Sequence, residues 1–293
     1  MTKLEIIILF LFTFATQVVA QNTAHFCVGD NRNFIVPNNP TSTYNWQVSD
    51  PNLATIDSGN GTHHILIDLN NIGVFKLLVE EIDANGCRGY DSILVQIHDL
   101  PQPNIFASGP ISFCEGDSVL LQVDSIYSAF LWNNNSTSIY LYADTTANYF
   151  VNVTDTIGCS NRSNIISIDV HPNPEADFIV DGICVNMPSM LVSTSTISSD
   201  NIVSSIWHFE NGEVVNGDSL LRTYKFVGDY FTELFVTSNY GCIDSIEKFY
   251  SIYNNPIASF EYTPFTVSTL QPEMNFITNS ANYNSFLWDF GDS

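Results

Sequence analysis

Hydrophobic residues in this chain fall into short runs and are not spaced at helical intervals. "SVLLQV" (118–123), "YFVNVTD" (149–155) and "FTELFVT" (231–237) are rich in β-branched and aromatic residues and are bounded by Gly, Asn, Asp and Pro. That composition marks strands closed by turns. Helical periodicity is nearly absent beyond the first twenty residues. The pattern predicts an all-β chain.

The runs repeat. Three cysteines sit in one kind of phrase, "FCVGD" (Cys27), "FCEGD" (Cys114) and "ICVNM" (Cys184), and three in another, "ANGCRGYDSI" (Cys87), "TIGCSNRSNI" (Cys159) and "NYGCIDSI" (Cys242). The two kinds alternate. A Trp follows each first-kind cysteine (Trp46, Trp132 and Trp207), and a strand pair around a turn precedes each second-kind cysteine. Units end in proline-bearing linkers, "HDLPQP", "HPNPEADF" and "YNNPIASF". Such a period indicates an array of similar modules. The expected boundaries are 21–103, 104–172 and 173–255, with a fourth unit starting at 256 and covering only its first part by residue 293.

The first twenty residues, "MTKLEIIILFLFTFATQVVA", place Lys3 before an apolar stretch and Val18-Val19-Ala20 before Gln21. This is the layout of a signal peptide over 1–20, and the stretch is too short for the ~20 residues that span a bilayer. The expectation is a secreted or cell-surface chain without membrane insertion after cleavage. Acidic residues outnumber basic ones 31 to 8, for a formal charge of −23, which repels nucleic acid and anionic lipid. Hydrophobics at 45% and aromatics at 13% are too many for a disordered chain.

Six cysteines in an exported chain suggest three disulfides, with fifteen conceivable pairings. Alternation of the two phrases makes pairing within each unit the economical choice: Cys27–Cys87, Cys114–Cys159 and Cys184–Cys242. A zinc site is the weaker rival, because no CxxC pair occurs. Units of ~70–85 residues with several short strands and a central Trp fit two-sheet sandwiches.

"WDFGDS" (Trp288, Asp289, Phe290, Gly291, Asp292, Ser293) resembles the W-D-F-G-D-G signature of PKD repeats, extracellular β-sandwich modules. "WHFENG" (207–212) is a degenerate copy, and "YKFVGDYFTELFVTSNYGCIDS" (224–245) resembles the second half of that family. The first two units keep the Cys–Trp–Gly-Cys frame without the signature and look more like Ig-like modules. The resemblance implies tandem Ig-like/PKD-like sandwiches, the last one incomplete, as in large secreted proteins of the Bacteroidota that carry gliding-motility-associated or type IX sorting domains. It also raises O-glycosylation at Asp-Ser/Thr triplets, here at Ser92, Ser118, Ser125, Thr145, Thr156, Ser219 and Ser245.

Catalytic signals are poor. His63-His64 and Glu80-Glu81 are adjacent strand residues that point to opposite faces, so neither forms a paired site. No GxSxG, HExxH or P-loop occurs. Asp289 and Asp292 read as turn caps, with calcium the weaker alternative and no other cofactor implied. The expected function is a non-enzymatic structural or adhesion protein with an extracellular protein or polysaccharide as partner. The alternative is the accessory region, spacer or carbohydrate-binding, of a secreted hydrolase whose catalytic domain lies beyond residue 293.

Overall fold

A computed structural model describes residues 6–7, 22–266, 268–270, 272–281 and 284–290. The segment expected to be a signal peptide lies outside the described residues, apart from Ile6–Ile7. Among the described residues every regular element is a strand, so the all-β expectation holds. The chain divides into two compact units. One comprises residues up to Ile111 together with Ser118–Ile168, and the other Ser112–Asp117 with Asp169–Ser293.

The first unit opens with β1 (Ile6–Ile7), β2 (Thr23–Cys27), β3 (Asn31–Ile35), β4 (Thr43–Val48), β5 (Ala54–Ser58), β6 (His64–Leu69), β7 (Gly73–Ile82) and β8 (Arg88–His98). They form two sheets, in the orders β1-β3-β6-β5 and β2-β8-β7-β4. Alternate residues of the two sheets meet in one core: Phe34, Ile65, Ile67 and Leu69 from one, Trp46, Phe75, Leu77 and Val95 from the other. The outward residues between them are polar or half-buried, as the two-residue period of a strand requires.

Gly59 closes the turn between β5 and β6 at φ +85°, and a Cβ there would collide with the His64 carbonyl oxygen. Both the left-handed backbone and the lack of space demand glycine. Gly59→Ala is expected to cost more than about 1 kcal/mol, read as a lower denaturant midpoint at unchanged slope.

The chain continues through β9 (Ile105–Ala107), β10 (Ser112–Cys114), β11 (Val119–Val123), β12 (Ala129–Trp132), β13 (Tyr140–Ala143), β14 (Ala147–Tyr149), β15 (Val151–Thr154), β16 (Ser160–Arg162) and β17 (Ile166–His171). Strands β13-β11-β9 and β12-β15-β16 form two small sheets around buried Leu121, Trp132, Val151 and Val153. The first half of β17 pairs with β14, and its end pairs in parallel with β10.

In the second unit, β18 (Phe178–Asp181), β19 (Pro188–Ser193), β20 (Ile202–Phe209), β21 (Val214–Asn216), β22 (Ser219–Thr223), β23 (Gly228–Ser238) and β24 (Ile243–Ile252) form sheets β18-β19-β22 and β21-β20-β23-β24. Phe178, Leu191, Trp207, Phe209, Leu234 and Val236 fill the space between them. A hairpin of β25 (Phe260–Thr263) and β26 (Asn275–Thr278) follows.

One device recurs in all three cores. The buried Trp donates its indole N–H to a backbone carbonyl: Trp46 to Thr62 at 2.9 Å, Trp132 to Ser138 at 2.8 Å and Trp207 to Gly217 at 2.7 Å. A large aromatic can then be fully buried without leaving its polar atom unpaired.

Candidate functional site

The two kinds of cysteine occupy two kinds of place. Each first-kind cysteine lies beside the end of its module's last strand. Cys27 is in parallel register with His98, Cys114 with His171 and Cys184 with Tyr253. The next amide closes the contact in each case: Val28 donates to the His98 carbonyl at 2.9 Å, Glu115 to His171 at 2.7 Å and Val185 to Tyr253 at 2.9 Å. The second-kind cysteines lie in the turn that enters a late strand. There the Cys87, Cys159 and Cys242 carbonyls accept from Asp83, Asp155 and Ser238 at 3.0, 2.9 and 2.8 Å. The preceding Gly86, Gly158 and Gly241 have φ of +82°, +101° and +86°, which is why each phrase reads Gly-Cys.

These places are far apart within a module. Strand β8 separates Cys87 from His98, and eleven residues at ~3.3 Å each span roughly 35 Å. Cys27 sits at the far end, well beyond the ~7 Å between Cα atoms that a disulfide can bridge. The same holds for Cys184 and Cys242 across β24. The expected pairing within units is therefore overturned. The bonds formed are Cys27–Cys159 and Cys114–Cys242, with Cα separations of 5.5 and 5.6 Å, while Cys87 and Cys184 are free thiols. Each bond runs from the strand-end cysteine of one module to the turn cysteine of the next. Each also lies inside one compact unit.

The Cys114–Cys242 junction is closely packed. His171 is 7% exposed, and its ring stacks on Tyr240 with centroids 3.6 Å apart and planes 10° off parallel. Ser112 Oγ lies 2.9 Å from His171 Nε2, and Asp200 is 3.7 Å from Nδ1. Both turn cysteines in bonds are 1% exposed.

The turn geometry has an acid limit. Asp83 Oδ1 accepts the Cys87 amide at 2.8 Å, and that bond, followed by those from Asn85 and Gly86, holds the Asp83 carboxyl below its ordinary 3.8 despite some desolvation. A lowered folded value means the carboxylate's contribution is complete above 3.8 and is lost as pH falls through the folded value. Amide exchange at Cys87 is expected to accelerate, relative to its intrinsic rate, only below that range.

The remaining candidates do not converge. His63 meets the Tyr44 ring edge-on, whereas His64 Nε2 lies 3.1 Å from Asn33 Oδ1. Among the described residues no group of three or more His, Cys, Asp or Glu is placed to hold a metal ion. Trp288 packs edge-on against Phe260 at 5.4 Å and 80°, matching the Trp207–Phe178 pair at 5.1 Å and 76°. Asp289 and Phe290 are exposed; Gly291 and Asp292 lie outside the described residues. Of the seven hydroxyls raised for glycosylation, Ser92 is half-buried and Ser118, Ser125, Thr145, Thr156, Ser219 and Ser245 are exposed.

One surface was missed in the sequence. The outer face of β4, β7 and β8 forms a concavity of about 420 Å³ lined by Asn45, Gln47, Lys76, Glu80, Tyr90 and Ser92 among others. Glu80, which pairs with no second carboxylate among the described residues, accepts from Arg88 at 2.5 Å and Tyr90 at 2.9 Å. The Tyr90 and Arg88 bonds together keep its carboxyl below the ordinary 4.5. Registers 45↔80↔90 and 47↔78↔92 bring these residues side by side, and only cross-strand pairing reveals that.

No family profile matches the sequence, and no curated protein matches it. Among solved structures, the chain is similar to the PKD1 domain of the Vibrio cholerae metalloprotease PrtV, at 29% identity over 27% of this chain and 96% of that one, with a TM-score of 0.25. It is similar to the SGBP-B protein of a Bacteroides ovatus mixed-linkage glucan utilization locus, solved with a mixed-linkage heptasaccharide, at 14% identity over 88% and 73% of the two chains and a TM-score of 0.24. It is also similar to the Ig1–Ig3 ectodomain of mouse nectin-like molecule 4, at 13% identity over 79% and 97%, with a TM-score of 0.34. At these scores the similarities assign no role to any residue. The sheets themselves show small all-β sandwich modules.

Proposed function

We propose that this is a non-enzymatic secreted or cell-surface protein with a structural and adhesive role, in which tandem β-sandwich modules over 21–103, 104–172 and 173–255 act as a load-bearing spacer toward an extracellular protein or polysaccharide. The observation that carries the reading is the offset of the disulfides, each of which ties consecutive modules together. Disulfides persist in oxidising compartments, which supports an extracellular location.

The offset changes how the chain bears tension. With both bonds intact, the shortest covalent path from Cys27 to Cys242 crosses to Cys159, returns along the chain to Cys114 and crosses again. Only the ~45 residues between Cys114 and Cys159 can then stretch, to ~16 nm at ~3.5 Å per residue, whereas the reduced chain would extend ~75 nm over ~215 residues. Single-molecule pulling from handles at the two ends of this segment tests the reading. Saturation near 16 nm without reductant and near 75 nm with it is expected. Full extension without reductant would contradict a load-bearing design.

A second reading has its own observation. The outer face of β4-β7-β8 combines hydrogen-bonding side chains with the exposed Tyr90 ring, a combination suited to sugar hydroxyls and their apolar faces. It supports a carbohydrate-binding accessory region of a secreted hydrolase. Retardation of the chain in gels containing soluble β-glucan, abolished by Tyr90→Ala, would favour it; unretarded migration on a panel of polysaccharides would remove it.

A further inference from the structure

The second module carries an uncharged aromatic face on its outer side. Its sheet β13-β11-β9 buries Ile105, Leu121, Val123, Leu141 and Ala143, so the residues between them point outward. Register places Phe106, Gln122 and Tyr140 in one outward row across the three strands. The next row holds Ser108, Leu120 and Tyr142, with Ser108 donating to the Leu120 carbonyl through its amide at 3.0 Å and its hydroxyl at 2.9 Å. Phe106, Tyr140 and Tyr142 are 43%, 50% and 63% exposed, and aromatic residues grouped on one exposed face mark an interaction site. Both small sheets of this module are built from strands between Ile105 and Arg162, so no later module is needed to complete them.

We propose, resting on the polysaccharide partner of the preceding reading, that this face binds a neutral polysaccharide of extended, β-1,4-linked chains such as cellulose or chitin. Phe106 and Tyr140 flank Gln122 at two strand spacings, roughly 10 Å, which is close to the disaccharide repeat of such a chain. Sugar rings two apart along a chain lying across the strands then meet the two aromatic rings. The Gln122 amide between them faces the hydroxyls of the intervening sugar, the mixture of apolar surface and few polar groups that sugar recognition uses. Tyr142 meets Tyr140 edge-on, with centroids 6.5 Å apart and planes at 79°, an arrangement that holds both rings in place.

Charge selects the partner. The chain carries −23 overall, which repels anionic polysaccharide, while the two rows include no carboxylate to pair with a basic protein. An uncharged surface of sugar rings and hydroxyls meets both conditions. Binding is accordingly expected to change little between low salt and about 1 M sodium chloride, because screening has no ion pair to weaken.

The test is co-sedimentation of the full chain with microcrystalline cellulose and with chitin. Depletion from the supernatant is expected with at least one of them, and Phe106→Ala and Tyr140→Ala should each weaken it roughly tenfold. Tyr140→Phe, which keeps the ring, should retain binding, and Tyr90→Ala should bind as the unaltered chain does. Both truncated side chains are about half exposed, so the variants should keep the original melting temperature. No depletion, depletion unchanged in both alanine variants, or depletion abolished by salt would overturn the proposal. The pulling behaviour set by the disulfides is unaffected by any of these results. Depletion lost only in Tyr90→Ala would also overturn it, moving the polysaccharide to the concavity of the first module. Self-association abolished by Phe106→Ala, without depletion, would mark a second copy as the occupant and overturn it as well.

Discussion

Loss of the Cys114–Cys242 bond, by reduction or as Cys242→Ser, is expected to destabilise the third sandwich by about 4 kcal/mol. The bond spans 128 residues of sequence, but Cys114 is held against His171 at the exit of its own module. When the third sandwich alone unfolds, the loop kept closed runs from His171 to Cys242, ~70 residues, and the entropy of closing such a loop corresponds to about 4 kcal/mol. For a domain of this size the melting temperature should fall on the order of 20 °C. Calorimetry with and without reductant reads it directly. An unchanged transition would mean the bond constrains nothing that unfolds.

Trp207→Ala is expected to cost about 4 kcal/mol, the usual range for removing a large buried aromatic. Trp207 is completely buried, packs edge-on against Phe178 and donates to the Gly217 carbonyl at 2.7 Å. Truncation opens a cavity between the two sheets and removes the hydrogen bond to that carbonyl. Trp207→Phe retains much of the packing and loses only the hydrogen bond, so a cost nearer 1 to 2 kcal/mol is expected. Trp288→Ala should disturb the folded sandwiches little, because Trp288 is only half-buried against the β25–β26 hairpin. Denaturant curves of the three variants separate these effects, and equal losses for Trp207→Ala and Trp288→Ala would contradict the assignment of cores.

Much of the architecture was legible in the sequence. The runs over 118–123, 149–155 and 231–237 fall on strands β11, β14–β15 and β23, and Trp46, Trp132 and Trp207 are core residues, because strand composition and turn residues are local signals. The two kinds of cysteine phrase were legible for the same reason, since a Gly-Cys turn needs a left-handed glycine. The pairing was not. Alternation along the chain is equally consistent with bonds inside modules and bonds from each module to the next. Strand geometry decides between them: β8 and β24 carry the turn cysteine and the strand-end cysteine to opposite ends of the sandwich. That distance depends on β2 lying parallel to β8, a long-range pairing that no local pattern announces. The outer face around Glu80 and Tyr90 was hidden likewise, because its members come from three strands and meet only through register.

Cleavage of the linker after the first module reads out whether the disulfides are offset between modules. A protease site introduced at Pro101-Gln102-Pro103 would separate residues 21–100 from the remainder. If Cys27 is bonded to Cys159, the cleaved protein should run as one species in denaturing gels without reductant and as two fragments with it. Two fragments without reductant would show that no bond crosses the linker, and the offset account would be wrong.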